Sequence, residues 1–421
     1  MPITMATSIA PSLPNALAPV SADQRSQWLD ALRGFALLGI LLTNIQVFSG
    51  YVLRSALPDP PALIAAAFDP ALNLIAHALV DGKFYCLFSF LFGLGIALQM
   101  RQAEAKGATA IPMLRRRLGW LLLFGFVHGV LIWGGDILTV YAVFGFALLW
   151  FRGMSQRTLL ITALFFLALP VLAYLVMFAV QMSDPLAGDP AVPPSQGLVG
   201  KLARGMATGN YADVVQSNAV FYAGGWIRRA VRLALPRIFG MFLLGVWAAR
   251  IGLPAARDAH RGLLRRWLLW GLLLGLPLNF AFAALGANNA LFPTGSKGLL
   301  AIVLASAGMP LLCLGYVAAF ALYWRRLRAN SLLVAAGRTA LSHYLGQSVV
   351  CVILFYGIGF GLFGSVSYGI ALLFAVTVFV ALAWCGRWWL RRHPQGPMEA
   401  LWRRLSYRER AAALKDAGPV A

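Results

Sequence analysis

The sequence predicts an all-α polytopic membrane protein, and three observations carry that prediction. Hydrophobic residues make up 60% of the 421 and charged residues only 12%, with a mean hydropathy of +0.75. A soluble domain has too much surface to hide that much apolar side chain. Apolar runs of roughly 18 residues or more recur along the chain, each long enough to cross a hydrocarbon layer about 30 Å thick. These runs are continuous, which excludes a β-barrel, whose strands alternate and are about half as long.

The elements follow in order. Residues 1–27 carry Pro2, Pro11, Pro14 and Pro19 and have neither a basic start nor an apolar core, so they read as a flexible cytoplasmic tail and not as a secretory signal. Ten spans are expected, over about 34–53, 84–100, 118–133, 137–151, 158–182, 236–251, 267–287, 298–323, 338–363 and 367–389, within a transmembrane bundle covering 28–389. The one long connection, 183–235, opens with the breaker-rich SDPLAGDPAVPPSQG. It then places Ile227, Val231 and Leu235 at helical spacing opposite Arg228, Arg229 and Arg232, the pattern of an amphipathic helix lying in the interface. Those arginines either snorkel to the headgroups or form a cationic patch for an anionic substrate. The basic tail, 390–421, repeats the pattern with Met398, Leu401, Trp402 and Leu405 on one stripe, a cytoplasmic surface helix.

The formal charge of +21 is topological. With the N-terminus inside, 26 of the 35 Lys and Arg fall on the inner face, while the 14 Asp and Glu divide evenly. That bias sets both termini in the cytoplasm, as expected of a multi-pass protein of the bacterial inner membrane. It implies contact with anionic lipids, not nucleic acid. Cys86, Cys313, Cys351 and Cys385 lie in apolar segments without metal-ligand spacing, so no metal is expected. The sequence lacks G-x-x-x-x-G-K-[ST], H-E-x-x-H, G-x-S-x-G and C-x-x-C, leaving ATP hydrolysis, zinc proteolysis and elbow-type serine hydrolysis without support.

Polar residues in apolar surroundings are the candidate site. In WLDALRGFALLGILLTNIQVF, Asp30, Arg33, Leu37 and Asn44 share one stripe, and Asn44 falls near mid-membrane, where an amide must face other helices or a cavity. In GWLLLFGFVHGVLIWGGDILTVYA, Gly134 and Gly135 form a hairpin apex, with His128 below it and Asp136 opening the returning helix. Asp136 serves there as a helix cap or as the group orienting His128, a candidate general base. In HALVDGKFYCLFSFLFG, His77 and Asp81 are helix-face neighbours with Lys83 beside them. Arg338 and His343 start the ninth span. Gly125/Gly129, Gly271/Gly275 and Gly357/Gly361 have the spacing for close helix packing.

With LDALRGFALLGILLTNI, DGKFYCLFSFLFGLGIALQ, RIFGMFLLGVWAAR, GRTALSHYLGQS and GPMEALWRRLSY in this order, the chain resembles the YeiB-like bacterial membrane proteins, the domain-of-unknown-function 418 family. One departure is His343, where that family more often has Asn. The opening motif is similar to that of transmembrane acyltransferases, including heparan-alpha-glucosaminide N-acetyltransferase, which pass an acyl group from cytosolic acyl-CoA to an acceptor across the membrane. This resemblance implies that Asp30, Arg33 and Asn44 match their first-helix residues, and that a catalytic histidine follows. His77 falls in the corresponding interval, and His128 is the alternative.

The reading that results is a transacylase. Arg33, Arg338 and other inner arginines meet acyl-CoA phosphates, with Lys83, Arg228, Arg232 and His343 as further binding candidates. Asn44 holds the thioester or the developing oxyanion. His128 or His77, oriented by Asp136 or Asp81, deprotonates an envelope-glycan or metabolite acceptor. Acyl-CoA is then a donor substrate, no cofactor is tightly bound, and the partners are the bilayer, anionic lipid and a second copy in a homodimer. A solute carrier and a non-catalytic membrane partner are the rivals. The absence of an acid deep within a span fits a coupled carrier poorly. The transacylase requires a passage joining Asn44 to Arg33 and to a histidine.

Overall fold

The computed structural model describes residues 26–57, 63, 66–107, 109–183, 197–231, 233–286, 295–327 and 331–406. Among these, all regular structure is helical. In chain order the α-helices are α1 (Gln27–Phe48), α2 (Asp69–Leu79), α3 (Lys83–Glu104), α4 (Ile111–Val127), α5 (Leu138–Leu148), α6 (Gln156–Ser183), α7 (Leu198–Thr208), α8 (Tyr211–Val231), α9 (Ala234–Arg250), α10 (Arg261–Trp270), α11 (Leu276–Ala284), α12 (Gly295–Leu327), α13 (Ser331–Arg338), α14 (Ala340–Phe355), α15 (Tyr368–Trp389) and α16 (Pro397–Ser406).

Six helical stretches are long and apolar enough to cross a membrane: Gln27–Ala56, Ala66–Glu104, Gln156–Val176, Arg261–Ala284, Ser296–Trp324 and Tyr368–Trp389. The pair α8 and α9, bent by 76°, makes a seventh if counted as one span. The expected spans 118–133, 137–151 and 338–363 instead meet helices of 17, 11 and 16 residues. Winding continues past the first two, as the π turn His128–Ile132 and the 3-10 turn Leu149–Gly153, while irregular backbone after Phe355 shortens the third.

Burial orders the bundle. The apolar windows of the first, second and fifth stretches are 56%, 61% and 67% buried, against 22–28% for the others. Thus α1, α3 and α12 form the centre, while α6, α10–α11 and α15 present Leu164, Phe165, Leu273, Leu373 and Val380 outward. An apolar outer surface of this kind matches hydrocarbon as solvent.

Close approach at the centre depends on glycine. A Cβ at Gly93 of α3 would lie 2.1 Å from the Phe242 carbonyl oxygen, and one at Gly245 of α9 would lie 2.0 Å from that of Phe90. These two positions interlock α3 and α9 backbone to backbone. Of the glycine pairs expected to pack, Gly271 and Gly275 do so against Gly315 and Leu312 of α12. Gly361 does not: it has φ +68° and open space around it, so it serves a turn.

One end of the molecule collects cations: Arg33, Arg117 and Arg338 line one cavity there, and Arg101 and Arg250 line a second that shares Ile96 with it. Here α16 docks across α4 and α14. Glu399 of α16 accepts hydrogen bonds from Leu341 N (2.6 Å) and Ser342 N (3.2 Å), satisfying the first turn of α14 from another element. Trp402 Nε1 donates to the Arg117 carbonyl at 2.8 Å, and the Arg117 guanidinium lies 3.8 Å over the Trp402 ring. The expected surface helix is thus anchored on both sides.

Candidate functional site

The site begins where α4 loses its regular winding. Residues His128–Ile132 form a π turn, closed by Trp133 N donating to the His128 carbonyl at 2.8 Å. Such turns displace a side chain from the helical register and recur at functional sites. Beyond it the chain reverses at Gly134–Gly135, and buried Asn218 of α8 holds the reversal. Asn218 accepts from Gly134 N at 3.2 Å and donates to the Ile132 carbonyl at 3.0 Å, pairing backbone groups that a bare loop would leave unmet. Trp133 stacks on Phe48 of α1 at 4.1 Å.

This hairpin brings His128 and Asp136 face to face, with Nδ1 and Oδ1 3.0 Å apart and both side chains buried. The carboxylate is filled on every side. Oδ1 also accepts from Leu138 N at 3.1 Å, and Oδ2 accepts from Thr139 N at 2.8 Å and Thr139 Oγ1 at 2.7 Å. Asp136 is therefore both a helix cap and the partner of His128. Tyr222 donates to Thr139 Oγ1 at 3.0 Å and Arg229 Nη2 to the Asp136 carbonyl at 2.7 Å, so α8 braces the turn. Gly125 gives room for it: a Cβ there would lie 2.5 Å from Thr139 N and 3.0 Å from Asp136 Oδ2.

An acceptor-only carboxylate assigns the proton of Nδ1 and leaves the Nε2 lone pair free to accept. Ser348 Oγ of α14 faces Nε2 at 2.9 Å. The result is a buried chain of carboxylate, imidazole and hydroxyl drawn from one hairpin and from α14, 220 residues past His128. In that order the groups supply general-base chemistry, the carboxylate fixing the ring and stabilising its charged form.

A cavity of about 580 Å³ runs toward this chain from the cationic end. Exposed Gln102 and Lys106 line its mouth together with Arg403, and Asp30, Arg33, Arg117, Arg338, Glu399 and Trp402 stand around them. Five cations against two carboxylates give the mouth a positive field. Ile40, Phe88, Leu91, Phe92, Leu118 and Leu121 make the deeper wall apolar, and Ile137, Leu138, Tyr141 and Tyr344 close it. Along α3 the wall extends from Phe88 to Ala103, roughly 22 Å at 1.5 Å per residue. The ring of Tyr344, at the floor, lies 5.1 Å from that of His128. Neither His128 nor Ser348 lines the cavity itself.

The other expected residues divide. Asp30 and Arg33 form an ion pair at 2.7 Å and line the cavity, as does Arg338, which donates to the Pro394 carbonyl at 3.2 Å. Asn44 is half-buried, does not line the cavity, and makes no hydrogen bond with another described residue, so the passage expected to join it to Arg33 and a histidine is not formed and Asn44 leaves the candidate site. His343 is buried with its ring 4.9 Å from Phe379, and among the described residues neither of its nitrogens has a hydrogen-bond partner. Arg228 lies along its own helix, 4.2 Å over Phe221, and Arg232 falls outside the described residues.

His77, Asp81 and Lys83 form a second cluster. His77 Nδ1 and Asp81 Oδ2 are in direct contact, and fully buried Lys83 donates to the His77 carbonyl at 2.5 Å. Near it lies Arg237, unexpected from the sequence and 4% exposed. It donates to Tyr85 Oη at 2.7 Å and Met309 Sδ at 3.3 Å, and among the described residues no carboxylate pairs with it. Ser348 was also absent from the expectations. A mid-helix serine is cheap to bury, because its hydroxyl can bond to its own helix, so its presence in GRTALSHYLGQS gives no warning.

Comparison with known proteins adds the family. Residues 248–409 match the family model described as "Protein of unknown function (DUF418)". The uncharacterized protein YxaH of Bacillus subtilis (strain 168) is 31% identical over 408 residues, covering 93% of this chain and 97% of the relative. The uncharacterized protein YeiB of Escherichia coli (strain K12) is 30% identical over 413 residues, covering 93% and 98%. With a likeness that runs nearly end to end in both chains, this protein belongs to the YeiB-like DUF418 family of helical membrane proteins.

Proposed function

We propose that the protein is an integral-membrane acyltransferase, moving an acyl group from cytosolic acyl-CoA to an acceptor hydroxyl or amine on the far side, such as a cell-envelope glycan or metabolite. One observation carries the reading: a deep cavity, cationic at its mouth and apolar within, ends at Tyr344, whose ring lies 5.1 Å from that of a buried histidine held by a carboxylate. The mouth suits a polyanionic head, Arg33, Arg117 and Arg338 meeting phosphates. The apolar wall suits a pantetheine arm and its thioester. Its volume falls in the range typical of small-molecule sites. His128 acts as general base, oriented by Asp136.

In this reading the ten expected spans are retained, α4, α5 and α14 serving as short inner spans, in a multi-pass protein of the bacterial inner membrane. Both termini and the cavity mouth are cytoplasmic, the side that the positive-inside bias assigns to Arg-rich ends.

The test is transfer by purified protein in sealed vesicles given labelled acetyl-CoA and a panel of envelope sugars. Covalent label on an acceptor, with stoichiometric CoA release, is the expected result. Uptake of unmodified sugar without CoA release would instead identify a carrier.

A further inference from the structure

We propose that Ser348 carries the acyl group as a transient ester, so that transfer proceeds in two half-reactions. This inference rests on the acyltransferase reading above and deepens it by naming a nucleophile.

The geometry is specific. Nucleophilic serines are recognised by a base within hydrogen-bond reach and a third group orienting that base, and not by position in the sequence. Ser348 Oγ lies 2.9 Å from His128 Nε2, and His128 Nδ1 lies 3.0 Å from Asp136 Oδ1. The remaining carboxylate positions are filled by Leu138 N, Thr139 N and Thr139 Oγ1, so the acid cannot turn away from the ring. Packing alone asks less of these groups. Ser348 already has the Tyr344 carbonyl at 3.3 Å, and Asp136 has its helix start to cap.

The position is equally telling. Tyr344 precedes Ser348 by one turn of α14 and forms part of the cavity floor. The hydroxyl therefore sits just behind the partition where the cavity stops. A swing of the Tyr344 ring exposes it to a thioester in the cavity.

The steps balance. Ser348 Oγ attacks the thioester carbonyl while His128 Nε2 takes its proton. The C–S bond breaks, and the imidazolium returns that proton to the departing sulfur, giving the Ser348 ester and free CoA–SH. The acceptor hydroxyl or amine then gives its proton to His128 and attacks the ester carbonyl. The C–O bond to Ser348 breaks, Oγ recovers the proton, and the acylated acceptor leaves. No redox partner is needed. A covalent relay lets donor and acceptor use opposite approaches without an open channel between them.

The experiment uses the full chain in nanodiscs, with [14C]acetyl-CoA and no acceptor, followed by acid quench and peptide mapping. The expected result is a burst of CoA equal to the enzyme present and label on the peptide containing Ser348. Label disappears in Ser348→Ala and His128→Ala, and transfer to acceptor falls at least ~10³-fold in both. Ser348→Cys retains a nucleophile and yields a thioester label released by hydroxylamine, which separates chemistry from misfolding. A fluorophosphonate probe gives a readout independent of the donor and should modify Ser348 in the wild type but not in Asp136→Asn. Transfer at the wild-type rate in Ser348→Ala, with no label on the wild-type peptide, overturns the inference and leaves the acyltransferase standing. If the wild type neither releases CoA nor acylates any acceptor, the acyltransferase reading fails and the ester with it.

Discussion

Asp136 accepts four hydrogen bonds with two oxygens, so substitution there tests structure and chemistry together. Asp136→Asn turns one acceptor into an amide NH2 that faces other hydrogen-bond donors, and disfavours the tautomer that leaves Nε2 basic. Transfer should fall about 10³–10⁴-fold, with a stability loss of about 1–3 kcal/mol seen as a lower thermal midpoint. Arg33 belongs to the mouth and not to the reacting centre. Arg33→Ala should raise KM for acyl-CoA about tenfold while leaving kcat within about twofold, the signature of lost uniform binding. Asn44 separates the two residue sets: lying outside the cavity wall, Asn44→Ala should slow transfer less than about tenfold, well short of the general-base range. The sequence made His128 and Asp136 legible because a buried imidazole and an acid beside a Gly-Gly apex are costly in a membrane. Ser348 stayed hidden because its hydroxyl costs little on any helix.

At the scale of elements, the site depends on the α4–α5 hairpin and on helices that never touch the reacting groups. Gly125→Val places methyl groups where Thr139 N and Asp136 Oδ2 now lie, and should separate Asp136 from His128. Transfer is expected to be lost with a stability penalty of about 1–3 kcal/mol, both readable from activity and thermal unfolding on one sample. Glu399→Ala removes the cap that α16 gives α14, and should cost about 0.5–2 kcal/mol. Apolar period and breaker residues announced most of these helices. The π turn at His128–Ile132 was not legible, because its cause is tertiary: Asn218 and Phe48, far along the chain in opposite directions, hold the reversal. The docking of α16 was similarly hidden, since its stripe of Met398, Leu401, Trp402 and Leu405 suits a lipid surface as well as a neighbouring helix.

The whole molecule is asymmetric along its long helices. The cationic cavity mouth occupies one end, while the His128 hairpin, bound to α8 and to the end of α1, lies toward the other. Composition alone gave the helical class, and the charge bias gave a direction. Neither could show the cavity that opens at the cationic end, because cavity shape depends on which small residues meet at each crossing. Gln102→Cys and Lys106→Cys should react with a membrane-impermeant maleimide from the cytoplasmic face alone, and CoA should protect both. The central claim is that the cavity delivers an acyl group to the His128–Asp136 pair. It is tested most directly in sealed inverted vesicles, with labelled acetyl-CoA outside and envelope sugars within. The account predicts covalent label on a lumenal sugar, abolished by His128→Ala in protein that keeps the wild-type thermal midpoint. Equal transfer by that variant, or none by the wild type across the acceptor panel, would contradict it.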